Sequence, residues 1–411
     1  MRRQYLGLLF LCFFGGASLL TTGCAFLGFQ TDSGSVRTQP ASAILRLNWQ
    51  KDLVPHLNFE YFGHEWAGTA YLSNGDIVAG TSLGDLVRFS SAGQERSRTR
   101  LSAGVTTDIL KDDANGQLAP NGRSETLFFG MSSGAFVRYD LSAQSVTWSF
   151  DTKAVLRGRP IISGGLIIFT TSLNQVIALE KSTGKWRWQY DGVRPERYCV
   201  DGFASIAIDR QAPGDPTQPS KIYTGFSNGE VVALDPQVGK VAWKADLRGE
   251  AEGFFDVDTT PIVRSDRVYV GNYATGVFAL SGETGDILWK NTDAISVTRL
   301  VDLGVSGSFD EDNGFLALSA KAGVFRISEG GEVSWVVRSS IGIPSTGSVA
   351  VDDVVIIGGS TTGLHAISQH DGQLLQYFDP RGGIHANISV SGRHISTITN
   401  KGRLLSFSML R

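Results

Sequence analysis

Short apolar runs separated by turn residues recur along the whole chain, and this pattern predicts β-strands. In one copy, an apolar run beginning at Lys221 reaches Asn228-Gly229, a second run covers Val231–Leu234, and a third contains Trp243. Such short runs, bounded by Gly, Asn, Asp and Pro, are typical of strands in an all-β protein. Asn228-Gly229 predicts a two-residue type I′ hairpin, because both residues of that turn take positive φ.

The strand–turn–strand unit repeats eight times at a mean spacing of roughly 45 residues, which is typical of propeller blades. The repeated turns are centred on Gly84, Gly134, Asn174, Gly229, Gly276, Gly323, Gly363 and Gly402. A four-stranded unit cannot bury both of its faces alone, so neighbouring units must pack on one another until the ring closes. The repeat therefore predicts an all-β fold, an eight-bladed β-propeller of four-stranded antiparallel blades.

An indole follows most of the repeated turns and predicts a wedge between adjacent sheets, since a large flat side chain fills that space well. The indoles of the central copies are Trp148, Trp188, Trp243, Trp289 and Trp335. In the first copy Arg98 is predicted to take this position, and in the seventh copy Tyr377.

The two ends of the chain predict how the ring closes. After the eighth turn only Arg403–Phe407 is available as a strand before the sequence ends at Arg411. Near the other end, Ile44–Trp49 carries an indole but has no blade of its own. We expect this N-terminal strand to complete the last blade, which removes open sheet edges and makes residues 44–411 one propeller domain.

The N-terminal residues predict export and lipidation. Arg2 and Arg3 precede an apolar segment that ends before Cys24, as in a secretory signal. Leu20–Cys24 resembles a bacterial lipobox, which implies a signal peptide over residues 1–23, an acylated Cys24 and a flexible tether over 24–43. Ala25 follows the cysteine, and by resemblance to the lipoprotein sorting rule this implies the periplasmic face of the outer membrane. The alternatives are an ordinary cleaved signal peptide with an incidental Cys24 and, from the Arg pair, a twin-arginine export signal.

Composition and motifs give no sign of catalysis. A net charge of −3 provides no basic face for nucleic acid. The sequence has no nucleophile elbow, phosphate loop or Cys-x-x-Cys motif, and its six histidines are scattered without metal-ligand spacing. His64 is expected to be an ordinary exposed histidine. We therefore predict no catalytic residues, no cofactor and no metal. The polar insertions 110–125 and 209–220 are predicted surface loops.

One enzymatic alternative arises from the repeat itself. The blade endings Gly184–Trp188 and Gly239–Trp243 resemble the docking motifs of quinoprotein dehydrogenases, which bind pyrroloquinoline quinone on an eight-bladed ring. Active members of that family also have a vicinal cysteine pair and a bound calcium. Here Cys199 stands between Tyr198 and Val200. The motif is therefore interpreted as structural, and a quinoprotein dehydrogenase remains the alternative.

Three segments together resemble the lipoprotein component B family of the bacterial β-barrel assembly machinery. They are Phe255–Pro261, Val268–Gly271 and Gly285–Lys290. The resemblance implies a noncatalytic scaffold, lipid-anchored to the membrane, that binds the periplasmic polypeptide-transport-associated domains of the central barrel component. It also implies help with the assembly and insertion of outer-membrane proteins, whose unfolded chains are possible further partners through exposed blade edges.

The same resemblance implies where the partner binds. Asp256 and Asp258 match the inter-blade loop that contacts the partner, and we expect them on an exposed turn, with Asp256 the more available of the two. The alternative for Asp258 is a structural turn before Pro261. A second contact loop corresponds to residues 197–203, where the matching side chains are Arg197, Tyr198, Val200 and Phe203.

Overall fold

The computed structural model describes residues 35–38, 43–54, 64–112, 125–194, 204–209, 220–249, 255–304, 313–338 and 344–410. Within these ranges every regular element is a β-strand. In chain order the strands are β1 (Ser35–Thr38), β2 (Leu45–Asp52), β3 (Ala70–Tyr71), β4 (Ile77–Gly80), β5 (Asp85–Phe89), β6 (Glu95–Arg100), β7 (Leu110–Lys111), β8 (Thr126–Gly130), β9 (Ala135–Asp140), β10 (Ser145–Asp151), β11 (Ile161–Ser163), β12 (Leu166–Thr171), β13 (Gln175–Glu180), β14 (Trp186–Asp191), β15 (Ala207–Ile208), β16 (Ile222–Gly225), β17 (Glu230–Leu234), β18 (Val241–Asp246), β19 (Ile262–Arg264), β20 (Arg267–Asn272), β21 (Gly276–Ser281), β22 (Ile287–Asn291), β23 (Val297–Asp302), β24 (Phe315–Ser319), β25 (Gly323–Ile327), β26 (Val333–Val337), β27 (Pro344–Val351), β28 (Val354–Gly359), β29 (Gly363–Ser368), β30 (Leu374–Asp379), β31 (Ser389–Ser391), β32 (His394–Ile398) and β33 (Arg403–Met409).

The strands form eight antiparallel sheets arranged as the blades of a propeller. Blades 1 to 7 each contain four consecutive strands, from β3–β6 to β27–β30. We name the four strands of a blade A to D in chain order, with A innermost. Inner strands of neighbouring blades contact each other, as β23 does with β27. The predicted eight-bladed propeller is confirmed.

Blade 8 joins the two ends of the chain. It consists of β31, β32 and β33, with β2 as its D strand. The pairing of β2 with β33 is antiparallel and runs from Leu45 opposite Met409 to Asp52 opposite Arg403. The predicted closure by the N-terminal strand is therefore confirmed.

A four-residue part of the predicted tether is a strand. β1 (Ser35–Thr38) pairs antiparallel with the D strand of blade 7, with Ser35 opposite Asp379 and Thr38 opposite Gln376. The expectation of an unstructured tether is wrong for these four residues, because the outer edge of β30 offers backbone partners that composition does not reveal. The insertion predicted at 110–125 likewise begins later, since Leu110 and Lys111 form β7.

The core lies between the blades. The central strands are buried along their whole length, as in β12 and β28, because neighbouring sheets cover both of their faces. The D strand faces solvent on one side, and β14 accordingly alternates between exposed and buried positions. Between blades 2 and 3, the rings of Phe136 and Phe169 stack with centroids 4.1 Å apart.

All eight predicted turn centres have positive φ, from 57° at Asn174 to 119° at Gly363. The turn after β16 nevertheless differs from the type I′ prediction. Asn228 is absent from the residues with positive φ, whereas Gly229 has φ 84°. Gly229 N–H donates to Phe226 O at 3.1 Å, and Phe226 N–H donates to Glu230 O at 2.9 Å. The loop therefore has three residues and ends in a left-handed glycine, which is the next commonest hairpin.

Six indoles bind the following blade in the same way. Each indole N–H donates to a backbone carbonyl of the turn between strands C and D of that blade, as Trp243 does to Gly282 O at 2.9 Å. The ring also lies against a glycine of the same turn, where an added Cβ would lie 2.5–2.8 Å from the nearest ring atom. The pairs are Trp49 with Gly93, Trp148 with Gly184, Trp188 with Gly239, Trp243 with Gly285, Trp289 with Gly331, and Trp335 with Gly372. The predicted wedge between sheets is confirmed at these six junctions.

A β-bulge precedes the indole position in every blade. In blade 4, for example, the pairing of β17 with β18 skips one residue between Val241 and Trp243. A bulge re-aims the side chain that follows it, which turns the indole toward the next blade. The same skip occurs in the pairings of all eight D strands.

The bulge corrects two predicted positions. In blade 1 the skipped residue is Arg96, so Ser97 and not Arg98 takes the indole position. In blade 7 the skipped residue is Leu375, so Gln376 and not Tyr377 takes it. Arg98 instead forms ion pairs with Asp85 and Glu95 within its own blade.

Gln376 binds the N-terminal strand where the other blades have an indole contact. Its Oε1 accepts hydrogen bonds from the N–H groups of Ile44 at 2.8 Å and Leu45 at 2.7 Å. Its Nε2 donates to Leu45 O at 2.8 Å. Blade 8 has no covalent turn between strands C and D, because these strands come from opposite ends of the chain. A polar side chain that satisfies the free backbone groups therefore replaces the indole.

Candidate partner-binding face

One face of the ring is built from two sets of loops. The first set comprises the turns between strands B and C, and the second comprises the connections from each D strand to the A strand of the next blade. Backbone hydrogen bonds join the two sets, as in Leu101 N–H to Gly84 O at 2.8 Å and Leu247 N–H to Gly229 O at 3.0 Å. Asp256 and Asp258, in the connection from β18 to β19, belong to this face.

The connection between blades 4 and 5 is fastened at several points. Val257 N–H donates to Phe226 O at 3.1 Å, and Asp256 O accepts from Tyr273 N–H at 2.9 Å. Thr259 Oγ1 accepts from Gly271 N–H at 2.8 Å. These bonds attach the connection to the B–C turn of blade 4 and to strand B of blade 5, so its backbone is held on both sides.

Val257 is the hydrophobic anchor of this connection. Its side chain is fully buried and packs over Gly225, the last residue of β16. A Cβ at Gly225 would lie 2.1 Å from Val257 Cγ1. Glycine at this position therefore lets the connection approach the blade closely.

The two predicted carboxylates differ in burial. Asp258 is half-buried, whereas Asp256 is only 1% exposed. The expectation that Asp256 is the more available of the pair is wrong for the isolated chain, because the connection turns this side chain inward between two anchored backbone segments. Sequence reasoning located the connection but could not resolve which of its alternate residues faces solvent.

The second predicted contact loop lies outside the described residues. Arg197, Tyr198, Val200 and Phe203 all fall in the range 195–203. The described residues on either side belong to β14, which ends at Asp191, and β15, which begins at Ala207. In the chain, these residues therefore fall between blade 3 and blade 4.

An aromatic cluster from several inter-blade connections lies on the same face. The rings of His64 and His385 stack with centroids 4.7 Å apart, and Trp66 lies 5.1 Å from His385. The guanidinium of Arg157 sits 4.0 Å from the centre of the Trp66 ring. His64 is exposed, as predicted, but its stacking on His385 was not predicted, because His385 lies far away in sequence. We call these four residues the mouth cluster.

The described ranges contain neither a metal-ligand cluster nor a helix that could cross a membrane. In those ranges, no three His, Cys, Asp or Glu side chains come together as a group that could hold a metal ion. None of the segments described forms a helix with the length and hydrophobicity that a membrane crossing needs.

The ring of four-stranded blades, with an indole and a glycine at six junctions, defines a β-propeller with quinoprotein-like repeats. A family model described as "Outer membrane protein assembly factor BamB" matches residues 46–326. The chain belongs to this family.

Similar curated proteins include assembly factors and enzymes. "Outer membrane protein assembly factor BamB" of Legionella pneumophila (strain Paris) is 26% identical over 193 residues, which cover 46% of this chain and 48% of the relative. The protein of the same name in Yersinia pestis is 23% identical, and the match covers 81% of this chain and 82% of the relative. The chain thus spans about half the length of the first relative and most of the second. "Alcohol dehydrogenase (quinone), dehydrogenase subunit" of Gluconobacter oxydans (strain 621H) is 30% identical over 35% of this chain and 20% of the enzyme.

Solved structures share the fold. BamB from Moraxella catarrhalis has a TM-score of 0.70 at 18% identity, and the match covers 89% of this chain and all of that chain. The quinohemoprotein alcohol dehydrogenase from Comamonas testosteroni has a TM-score of 0.64 at 14% identity, over 89% of this chain and 76% of the enzyme. At these identities the likeness is evidence for the fold alone.

Proposed function

We propose that this protein is a noncatalytic scaffold lipoprotein of the outer-membrane β-barrel assembly machinery. In this role it binds the periplasmic polypeptide-transport-associated domains of the central barrel component and aids the assembly and insertion of outer-membrane proteins. The observation that carries the proposal is the family match over residues 46–326, which includes six of the eight indole-position residues. The proposed address is the periplasmic face of the outer membrane, with an acylated Cys24 as the anchor.

The proposed interface is the pair of neighbouring connections between blades 3 and 4 and between blades 4 and 5. Asp258 supplies a half-buried carboxylate, one oxygen of which is buried, whereas the buried Asp256 supports the shape of the connection between blades 4 and 5. A half-buried carboxylate can accept charge-assisted hydrogen bonds from a partner, and these are stronger than neutral ones. Arg197, Tyr198, Val200 and Phe203 are proposed as the basic and apolar part of the same interface.

The partner is tested by purifying the tagged full-length lipoprotein from native outer membranes and identifying co-purified proteins by mass spectrometry. The central barrel component should be strongly enriched over a mock purification. Enrichment of many nascent barrels without that component would favour direct client binding instead. Recovery of neither would contradict the assignment to the machinery.

The interface is tested with a single substitution and a matched control. Asp258→Ala should weaken capture of the central barrel component by about 10-fold, since a hydrogen bond to a charged group contributes about 1.5–3 kcal/mol. Asp266→Ala is the control, because Asp266 is an exposed carboxylate on the A–B turn of blade 5, away from the proposed face. Equal capture by both variants would remove Asp258 from the interface, and thermal unfolding checks that both remain folded.

A quinoprotein dehydrogenase is the second candidate, and the local similarity to the Gluconobacter enzyme favours it. Calcium in proteins takes about six to eight oxygen ligands. Asp108, which faces the ring axis, uses both of its carboxylate oxygens to accept from Gly68 N–H at 3.0 Å and Asn387 Nδ2 at 2.7 Å. Within the described ranges, no three His, Cys, Asp or Glu side chains come together there to supply such a ligand set, so these residues do not fit the calcium–quinone pair. Dye reduction by the purified protein with quinone and calcium would overturn the noncatalytic proposal.

A further inference from the structure

The A strands are the innermost strands, so the axial channel is lined by the residues of their N-terminal halves and the residues just before them. On this wall lie Asp108 of blade 2, Arg159 of blade 3, Arg299 of blade 6 and Asn387 of blade 8. Arg159 is exposed, and Arg299 and Asn387 are half-buried. Blades 3 and 6 are not neighbours, so the two arginines belong to separate parts of the wall. These four residues are called the channel cluster.

Arg299 has a hydrogen-bond donor to spare. Its Nη2 donates to Ser348 O at 3.3 Å, but its buried Nε has no partner in the part of the chain that the structure describes. Burial lowers the pKa of Arg299 to about 10, the charge of Asp108 opposes this change, and the charge of Arg159 adds to it.

Asn387 has a hydrogen-bond acceptor without a partner in the described ranges. Its Nδ2 donates to Asp108 Oδ2 at 2.7 Å, which fixes the orientation of the amide, since a carboxylate can only accept. The Oδ1 atom is then a buried acceptor without a partner in the described ranges. A buried polar atom left without a hydrogen bond is costly, so both spare groups favour a ligand that supplies their partners.

The charge of the cluster favours an anion. Asp108 is the only carboxylate among its four members, and its oxygens already accept two hydrogen bonds from within the ring. The two arginines leave a net positive charge on a wall of buried strands, where low-dielectric surroundings strengthen attraction to an anion. The planar fork of a guanidinium matches a carboxylate especially well.

We propose that the axial channel binds a small carboxylate that also carries a nearby N–H or O–H group. In this assignment Arg159 and Arg299 bind the carboxylate, and Asn387 Oδ1 accepts from the neighbouring donor. The mouth cluster, with Trp66, His64 and His385, provides aromatic surface at the same end of the channel. This chemistry is found in free N-acylated amino acids and in the C-terminus of a peptide. The proposal does not depend on the partner proposed above.

The test is calorimetric titration of the full-length lipoprotein in detergent with N-benzoylglycine, which combines a carboxylate, an amide N–H and an aromatic ring. Saturable binding should weaken at least about 10-fold with N-benzoylglycinamide, which lacks the charge. It should also weaken as salt rises. Absence of saturable binding, or equal binding of the amide, would overturn the proposal.

Substitutions distinguish binding in the channel from binding elsewhere on the surface. Arg159→Gln and Arg299→Gln should each weaken binding at least about 10-fold, whereas the exposed Arg96→Gln on β6 should not. Arg159 is the safer variant for folding, because its side chain makes no hydrogen bond within the described residues. Wild-type affinity in Arg159→Gln would sink the assignment even if Arg299→Gln failed to fold.

The two ligand sources are distinguished with benzoyl-triglycine, which has the same terminal carboxylate and N–H at the end of a longer chain. Equal or tighter binding than N-benzoylglycine would support the site and identify a peptide C-terminus as its ligand. Binding of N-benzoylglycine alone would support the site as one for free small carboxylates.

Discussion

Replacing Gln376 by Ala should loosen the ring at its closure. Gln376 is 3% exposed, and the strand residues it binds, Ile44 and Leu45, are 0% and 3% exposed. The substitution removes three hydrogen bonds at once, with distances of 2.7–2.8 Å. Two buried N–H groups and one buried carbonyl then lose their partners.

The magnitude follows from those three groups. A buried group left unsatisfied costs about 1–3 kcal/mol, but a water that enters the space vacated by the side chain can satisfy part of the set. We therefore expect the free energy of unfolding to fall by about 3 kcal/mol. The pairing of β2 with β33 is otherwise intact, so the loss should appear first as local opening of the N-terminal strand.

Hydrogen exchange and urea unfolding measure this effect. Amides of Leu45–Asp52 should exchange about 100-fold faster in Gln376→Ala, which corresponds to the expected change in opening free energy. Gln373→Ala is the matched control, since Gln373 is exposed at the C–D turn of the same blade. Unchanged exchange in β2 together with an unchanged urea midpoint would refute the role of Gln376.

Gln376→Glu tests the hydrogen bond that Gln376 Nε2 donates to Leu45 O. A carboxylate at this position still accepts from the N–H groups of Ile44 and Leu45, but it cannot donate to Leu45 O, and its charge is buried. The variant should therefore be strongly destabilised at neutral pH. Its deficit should shrink as the pH falls, because a protonated Glu regains a donor. A pH-independent deficit would argue against the donor role.

Three further changes test other parts of the ring. Trp243→Ala should lower the free energy of unfolding by about 3–5 kcal/mol in urea titrations, because it removes a nearly buried indole and its hydrogen bond. Gly225→Ala should displace Val257, since a Cβ has no space there. Capture of the barrel component should weaken clearly, whereas the thermal midpoint should fall only slightly. Burial lowers the pKa of His365 to about 4, so the unfolded chain binds its proton first as pH falls. Wild-type stability should therefore drop between pH 6.5 and 4 by up to about 3 kcal/mol, and His365→Gln should flatten this part of the curve.

The repeat was readable from sequence because its signals are local. Blades 4, 5 and 6 each have a glycine in the B–C turn and another in the C–D turn, and the indole follows the second glycine by four residues, as Trp243 follows Gly239. The geometry of a single blade fixes this spacing. The same four-residue spacing identifies Gln376 from Gly372 and Ser97 from Gly93. Selecting the nearest large side chain instead gave Tyr377 and Arg98, because a bulge moves the register by one residue and leaves no mark in the hydrophobic pattern.

The candidate site was less predictable for a different reason. The position of Asp256 and Asp258 between β18 and β19 follows from the order of strands, and the structure agrees with it. Their burial depends on turns that are distant in sequence, such as those that contain Phe226 and Tyr273. The channel cluster likewise joins residues from four separate blades, none of which belongs to a motif.

The two junctions without an indole lie on either side of the place where the chain ends meet, and polar side chains replace indoles there. An indole contact requires an unbroken C–D turn with a glycine in the next blade, and blade 8 has none. Gln376 therefore binds strand β2 directly. At the junction that follows blade 1, Ser97 takes the indole position, and the corresponding turn position in blade 2 is Gln144, with φ 47°. On the inner side of this region, Asp108 joins blade 2 to Gly68 of blade 1 and Asn387 of blade 8. Asp108 thus connects three blades beside the closure of the ring, where a polar side chain again supplies a link between blades.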